Sequence, residues 1–511
     1  MPTAYAELCS LLKHAALLDS LAQLASWDQE TYMPEKGAAA RAESVALLAT
    51  LIHERRTSPR VGELLAACEG DAGLTAAETP TGANLREIRR DYDKHTKVPA
   101  ELVAEIAKVG SQAQEVWKKA REGSDFAMFR PWLERMIGLQ RRKAECLGHA
   151  PGGEAYDALL DLYEPGATAA GLEAVFTPLR ARLTDLLGRV RGSKAKVRTR
   201  CLEVKIDPAA QHAFGLAVIE AMGFDLTAGR VDTTTHPFCS GFAPGDTRLT
   251  TRYREAHFTD ALYSTLHEMG HGLYEQGLPK MGKDGGPSDL YGTPLADSIS
   301  LGIHESQSRM WENFVGRSKA FWKWALPKSK KQFGKALSKF DAKEYFAAVN
   351  TAAPSLIRVE ADETTYNLHV MIRFEIERAL LRGDLAVKDL PGAWNGKYKE
   401  YLGVKVPDDR RGCLQDVHWS FGLFGYFPTY TLGNLYAAQF WEKINQDIPD
   451  LNKQIAKGRF DALKKWLNTK IHAHGRRYTA GDLCTRVTGA PLSSEPLLRH
   501  LSAKAEQVYG V

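Results

Sequence analysis

A chain of 511 residues, 44% of them hydrophobic, is long enough to bury a substantial core. Its 67 basic and 62 acidic residues nearly cancel to a formal +5, and no basic stripe or zinc-knuckle spacing marks a nucleic-acid binder. No run of about 20 apolar residues would cross a membrane, the N-terminal segment is too interrupted by polar residues for a secretory leader, and the seven cysteines include no CxxC pair. A reduced, cytoplasmic protein is expected.

In chain order, Leu8, Leu11, Leu12, Ala15, Leu18 and Leu21 recur at steps of three and four, one apolar face of a helix. The same periodicity predicts helices over Ala39–Ile52, Glu78–Lys97, Pro99–Glu122, Asp125–Cys146, Ala170–Arg191 and Pro208–Ala221. It returns in Lys335–Asn350, Leu432–Gln446, Ile448–Phe460 and Asp461–Ile471, so the chain is expected to be mainly α. One region departs from this habit. Gly229–Pro237 and Asp246–Arg254 are rich in β-branched residues and flank the Gly-rich stretch Ser240–Gly245, which predicts a small antiparallel sheet joined by a turn.

Directly after the sheet, Thr259–Gln276 reads as a helix, with Thr259 as its expected cap and Gly277-Leu278-Pro279 as its stop. Within it lies His267-Glu268-Met269-Gly270-His271, the HExxH pattern. Residues four apart share a helix face, so both imidazoles converge on one ion, and Glu268 is offset toward a water it could deprotonate. Gly270 costs a helix interior about 1 kcal/mol, a sign that something packs closely against it. A catalytic zinc takes a third protein ligand and keeps one open position. The next amphipathic stretch, Asp297–Val315, offers His304 and Glu305, between which residue chemistry alone does not choose; Glu312 and Glu275 rank lower.

Further motifs follow in order: His236-Pro237-Phe238, Asp246–Thr250 (DxRxT), His304–Gln307 (HESQ), Ile357–Asp362 (IRVEAD) and Gly412–Trp419 (GCLQDVHW), with Trp27–Pro34 near the N-terminus. Together with the HExxH segment they resemble the carboxypeptidase Taq family of metallocarboxypeptidases (peptidase family M32). The resemblance implies a single large catalytic domain over 1–511, mainly helical and saddle-shaped, with a deep groove and a short sheet beside the active site. Within it, a helical N-terminal part would run to about 225, a metal-site core over about 226–436, and C-terminal helices from about 437. It implies a homodimer with one zinc per subunit, cobalt being the alternative, and Glu305 as the ligand beside His267 and His271. His418 and Tyr430 are its expected transition-state donors, with Tyr426 a rival for the tyrosine role.

The expected reaction is release of single residues from peptides with a free C-terminus, Glu268 serving as base. An exopeptidase of this kind needs a group for the terminal carboxylate, a task that suits the rigid arginine fork. Arg358, steadied by Asp362, is preferred over Arg248, whose neighbour Asp246 points to a supporting salt bridge. His236 is read as a substrate-backbone contact or a support for the sheet edge, and Val231–His236 as a strand along which peptide could be added. A zinc endo-oligopeptidase or dipeptidase would share this metal chemistry. A helical interaction protein with a structural zinc would have no need of Glu268.

Overall fold

The computed structural model describes residues 3–511 and is 67% helical, the mainly α architecture that the periodicity predicts. The chain divides into two compact units.

The first unit takes in the chain up to Thr96, Arg198–Val349 and Tyr436–Pro491. The helix Ala4–Thr31 opens with Thr3 accepting from the Ala6 amide and buries Leu8 against Val61, Leu64, Leu65, Cys68, Leu85 and Ile88. Asn84, fully buried, donates to Tyr5 Oη at 2.9 Å, so a polar group inside this cluster is hydrogen-bonded rather than stranded. The helix Phe258–Gly277 lies at the heart of the unit, packed on Pro208–Ala221, on Leu301–Arg309 and on the sheet.

Three strands form that sheet: β1 (Gly229–Thr233), β2 (Cys239–Ala243) and β3 (Asp246–Thr251), in the order β1-β3-β2. β2 pairs antiparallel with β3, but β1 pairs parallel with it, Val231 opposite Leu249. The expected antiparallel sheet is therefore corrected to a mixed one. The Gly-rich stretch expected to be only a turn contains β2, and the reversal is confined to Pro244-Gly245, where Gly245 takes φ 77. β2 thereby becomes the hairpin partner of β3, and β1 is left to the other edge.

Other boundaries also differ from expectation. Thr259 is buried inside its helix, which starts at Phe258 behind His257 in the left-handed region (φ 64). Asp341 exchanges side-chain and backbone hydrogen bonds with Glu344, so Lys335–Asn350 forms a 3-10 turn and then a helix from Ala342 to Val349. Of Ile448–Phe460 only Leu451–Ile455 is helical.

The second unit consists of Lys97–Val197, Asn350–Leu435 and Leu492–Val511. Long helices such as Ala100–Gly123, Phe126–Leu147 and Ala169–Gly192 build it, and at its centre runs Tyr366–Arg382, buried on nearly every side. A helix buried all round is ordinarily apolar. This one carries Arg373 and Glu377 fully buried, one turn apart, and both grip the segment Gly412–Phe427.

Candidate metal centre

The helix Phe258–Gly277 presents His267 and His271 on one face, their rings 4.9 Å apart. Two glycines set what packs beside them. A Cβ on Gly270 would lie 2.5 Å from Ser308 Cα and 2.6 Å from the Gln307 carbonyl oxygen. One on Gly272 would strike Phe224 at 2.7 Å and Leu249 of β3 at 2.9 Å. The helix is thus pressed against the Leu301–Arg309 backbone on one side and the sheet on another, which is the close approach expected of Gly270.

That approach delivers Glu305. Its Oε2 lies 3.6 Å from His267 Nε2 and 3.4 Å from His271 Nε2, and the three ligand atoms fall within 4.8 Å of one another. These separations exceed hydrogen bonds. Four-coordinate zinc with bonds of roughly 2.0–2.1 Å holds neighbouring ligand atoms about 3.3 Å apart, close to both separations of the Glu305 oxygen. Arg309 Nε and Ser308 Oγ hold the Glu305 carboxylate at 2.7 and 3.0 Å. Burial pushes its pKa up, but Arg309 and the two histidines outweigh this and keep it well below the usual range.

Beyond the ligand atoms, His267 Nδ1 meets Glu312 Oε2 at 2.9 Å. Glu312 lies in the π-helical turn Met310–Gly316, whose wider winding continues the Glu305 helix. Burial opposes ionisation of Glu312, yet Arg309, His267 and Arg317 bring its pKa down to about 2. On the other histidine, His271 Nδ1 lies 2.5 Å from His304 Nδ1, and His304 Nε2 lies 2.8 Å from Glu275 Oε1. Of the residues ranked as alternative ligands, His304 and Glu312 each face the outer nitrogen of one histidine, and Glu275 stands behind His304. Glu268, next to His267, is buried, and that burial raises its pKa to about 7.

The other sequence-derived residues fall in two places. In the first unit, His236 is exposed in the connection between β1 and β2. Arg248 on β3 holds both oxygens of Asp246 through Nε and Nη2 at 2.8 and 2.9 Å, its guanidinium 4.3 Å from the Trp27 ring. In the second unit, Arg358 is 4% exposed; Nε and Nη2 bind Asp416 Oδ1 at 3.0 and 2.9 Å, and Nη1 binds Tyr366 Oη at 2.9 Å. Asp362, its expected partner, instead accepts from the Thr364 and Thr365 amides and from Thr365 Oγ1. The chain leaves its single 3-10 turn at Glu360, so Asp362 is not presented one helical turn from Arg358.

His418 Nε2 lies 3.4 Å from Tyr430 Oη, and Tyr426 packs 5.5 Å from both rings. Burial, with Arg358 and Arg373 nearby, lowers His418 to about 3, so it is a neutral imidazole at neutral pH. Gln415 and Asp416 both stand inside the Gly412–Trp419 motif, but neither Arg373 nor the pairing of Asp416 with two arginines is legible in the sequence. Arg373 binds Asp416 Oδ2 and Gln415 Oε1 from 42 or more residues away, and nothing local announces that pairing.

The family model of the carboxypeptidase Taq (M32) metallopeptidases matches residues 7–505. The chain is 45% identical over 514 aligned residues to thermostable carboxypeptidase 1 of Thermus thermophilus, covering 99% of both chains. It is 37% identical to carboxypeptidase 1 of Bacillus subtilis, over 98% of each. The crystal structure of the M32 carboxypeptidase from Deinococcus radiodurans R1 superposes with a TM-score of 0.94 at 40% identity, over 100% of each chain. A site with the geometry of a metal centre, inside a fold and a sequence matched from end to end, leads to one conclusion: the chain belongs to the carboxypeptidase Taq (M32) family and is a metal-dependent carboxypeptidase.

Proposed function

We propose that His267, His271 and Glu305 hold one zinc ion per subunit, with cobalt as the alternative, and that Glu268 is the catalytic base. The observation that carries this reading is the convergence of two Nε2 atoms and one carboxylate oxygen at spacings suited to a tetrahedral ion. When bound, the ion would supply Lewis acidity to the attacking water and the scissile carbonyl. Glu268 takes the water proton and returns it to the departing amine, a role that suits a buried carboxyl adjacent to His267. Tyr430 and His418 are assigned as oxyanion donors, and Tyr426 supports their rings.

For the terminal carboxylate, the donor inventory favours Arg248 over Arg358, the reverse of the sequence-based preference. Nε, Nη1 and Nη2 of Arg358 are all engaged by Asp416 and Tyr366, whereas the Asp246 pair of Arg248 leaves Nη1 outside it. His236 remains assigned to the substrate backbone. The single catalytic domain, the cytoplasmic setting and the homodimer belong to the same proposal. Seven free cysteines agree with a reducing compartment, and Leu17 and Leu21, one turn apart on the Ala4–Thr31 helix, are 44% and 54% exposed, apolar surface that a second copy would cover. Among the described residues, no helix is long and apolar enough to cross a membrane.

The test is mass spectrometry of N-terminally blocked peptides incubated with zinc-loaded protein. Stepwise loss of single C-terminal residues is expected, and internal cuts would favour an endo-oligopeptidase.

A further inference from the structure

The two histidines of the centre are supported differently. His267 Nδ1 meets a carboxylate, Glu312, directly. His271 Nδ1 meets another imidazole, His304, at 2.5 Å, and only beyond that ring comes a carboxylate, Glu275, with Lys280 Nζ on its second oxygen at 2.5 Å. We propose that His304 is the positioning residue that fixes the ring and tautomer of His271, and that Glu275 and Lys280 act on the metal centre only through it. This rests on the ligand set assigned above.

The proton positions follow from that set. His271 turns Nε2 toward Glu305 Oε2, so Nε2 must be the bare nitrogen that a metal ion takes, and the ring proton is on Nδ1. Between His271 Nδ1 and His304 Nδ1 there is room for one hydrogen; His271 supplies it and His304 accepts. The proton of His304 is therefore on Nε2, where it donates to Glu275 Oε1. Glu275 has only acceptors to offer, and Lys280 satisfies its other oxygen while also donating to the Gly241 carbonyl of β2 at 3.1 Å. Each member has one consistent orientation, running from the lysine on the Gly277–Lys280 stretch to the ligand histidine.

His304 itself is not placed to be a ligand. It stands at Nδ1 of His271, whereas the proposed metal position adjoins Nε2 across the ring, and both nitrogens of His304 are already matched to protein partners. Loss of an outer partner of this kind typically lowers metal affinity by about 10–100-fold.

The test is competition of the purified full chain with a chelating indicator for Zn²⁺, alongside the visible spectrum of the Co²⁺ form. His304→Phe, which keeps a ring but no acceptor, should weaken Zn²⁺ by about 10–100-fold while the Co²⁺ spectrum keeps its four-coordinate shape. His304→Asn offers Oδ1 near the position of Nδ1 and should recover most of that loss. Glu275→Gln should weaken Zn²⁺ in the parent but add nothing in His304→Phe. Parental affinity in His304→Phe would overturn the proposal, and so would an undiminished Glu275→Gln effect in that background. A Co²⁺ spectrum altered as it is in His271→Ala would overturn it too, by making His304 a ligand. If His271→Ala and Glu305→Ala keep full Zn²⁺ affinity, the ligand set itself fails, a result distinct from failure of the His304 proposal. Melting of the metal-free variants at the parent's temperature separates all of these from misfolding.

Discussion

Gly270→Ala is the smallest change that tests how the centre is built. The added methyl would meet Ser308 Cα at 2.5 Å and the Gln307 carbonyl oxygen at 2.6 Å, and both are backbone atoms that no rotamer change can move. Ordinary contact requires a retreat of about 0.9 Å between the Phe258–Gly277 and Leu301–Arg309 helices. Alanine favours the helix by ~1 kcal/mol, while overpacking against immovable atoms costs ~3 kcal/mol, so the metal-free chain should lose about 2 kcal/mol. The larger effect falls on the metal. His267 and His271 are on one helix and Glu305 is on the other, so a 0.9 Å retreat far exceeds the ~0.2 Å tolerance of metal–ligand distances. Denaturant unfolding of the chelator-treated chain reads the first quantity, and competition with a Zn²⁺ indicator reads the second. Parental Zn²⁺ affinity in Gly270→Ala would refute the argument that this glycine sets the ligand spacing, even if stability falls as expected.

Glu268→Gln should retain metal, shown by elemental analysis, and lose about 10²–10⁴-fold in kcat, because the ligands remain while the proton acceptor is gone. Tyr430→Phe should lower kcat by about 10²–10³-fold with little change in KM, measured in steady-state assays. Arg248→Ala should reduce kcat/KM for peptides with a free C-terminus far more than for amidated ones. Arg358→Ala should lower both alike, since removing one partner of its buried pair with Asp416 costs ~3–5 kcal/mol of stability. Asp416 is pushed up by burial but held well below its ordinary 3.8 by Arg358 and Arg373. Its contribution is therefore present above the unfolded-state pKa and lost as pH falls through the lower folded value. The stability gap between the parent and Asp416→Asn should accordingly be constant above about pH 5 and narrow progressively as pH falls below it, most steeply below the unfolded-state value of about 3.9, in denaturant titrations.

Much of the fold is legible because helices are local. Pro208–Ala221 matches its expected range end to end, since Asp207 caps it and Pro208 takes the first turn, both visible in the sequence. The errors occur where a distant partner decides. Cys239–Ala243 has the Ser, Gly and Ala of a turn, and becomes a strand only because β3 supplies its hydrogen bonds. The Tyr366–Arg382 helix escapes periodicity because it is buried on nearly all sides, which removes the polar stripe that periodicity detects.

The site divides along the same line. The spacing of His267 and His271 is a property of one helix and can be counted. Which of His304 and Glu305 reaches the metal position depends instead on how the Leu301–Arg309 helix is rolled against its neighbour, and adjacent residues differ by only 100° around that helix. The resemblance to a family implies Glu305; in the structure the Glu305 carboxylate lies beside both Nε2 atoms, and His304 lies against the outer nitrogen of His271. Glu312 follows from the roll as well: seven residues past Glu305, with a π-turn intervening, it comes round to the outer nitrogen of His267. The interhelical contact at Gly270 therefore bears on the proposed third ligand and on the residues facing the outer nitrogens. A glycine flagged in the sequence only by its cost to the helix is the residue on which the geometry of the centre turns.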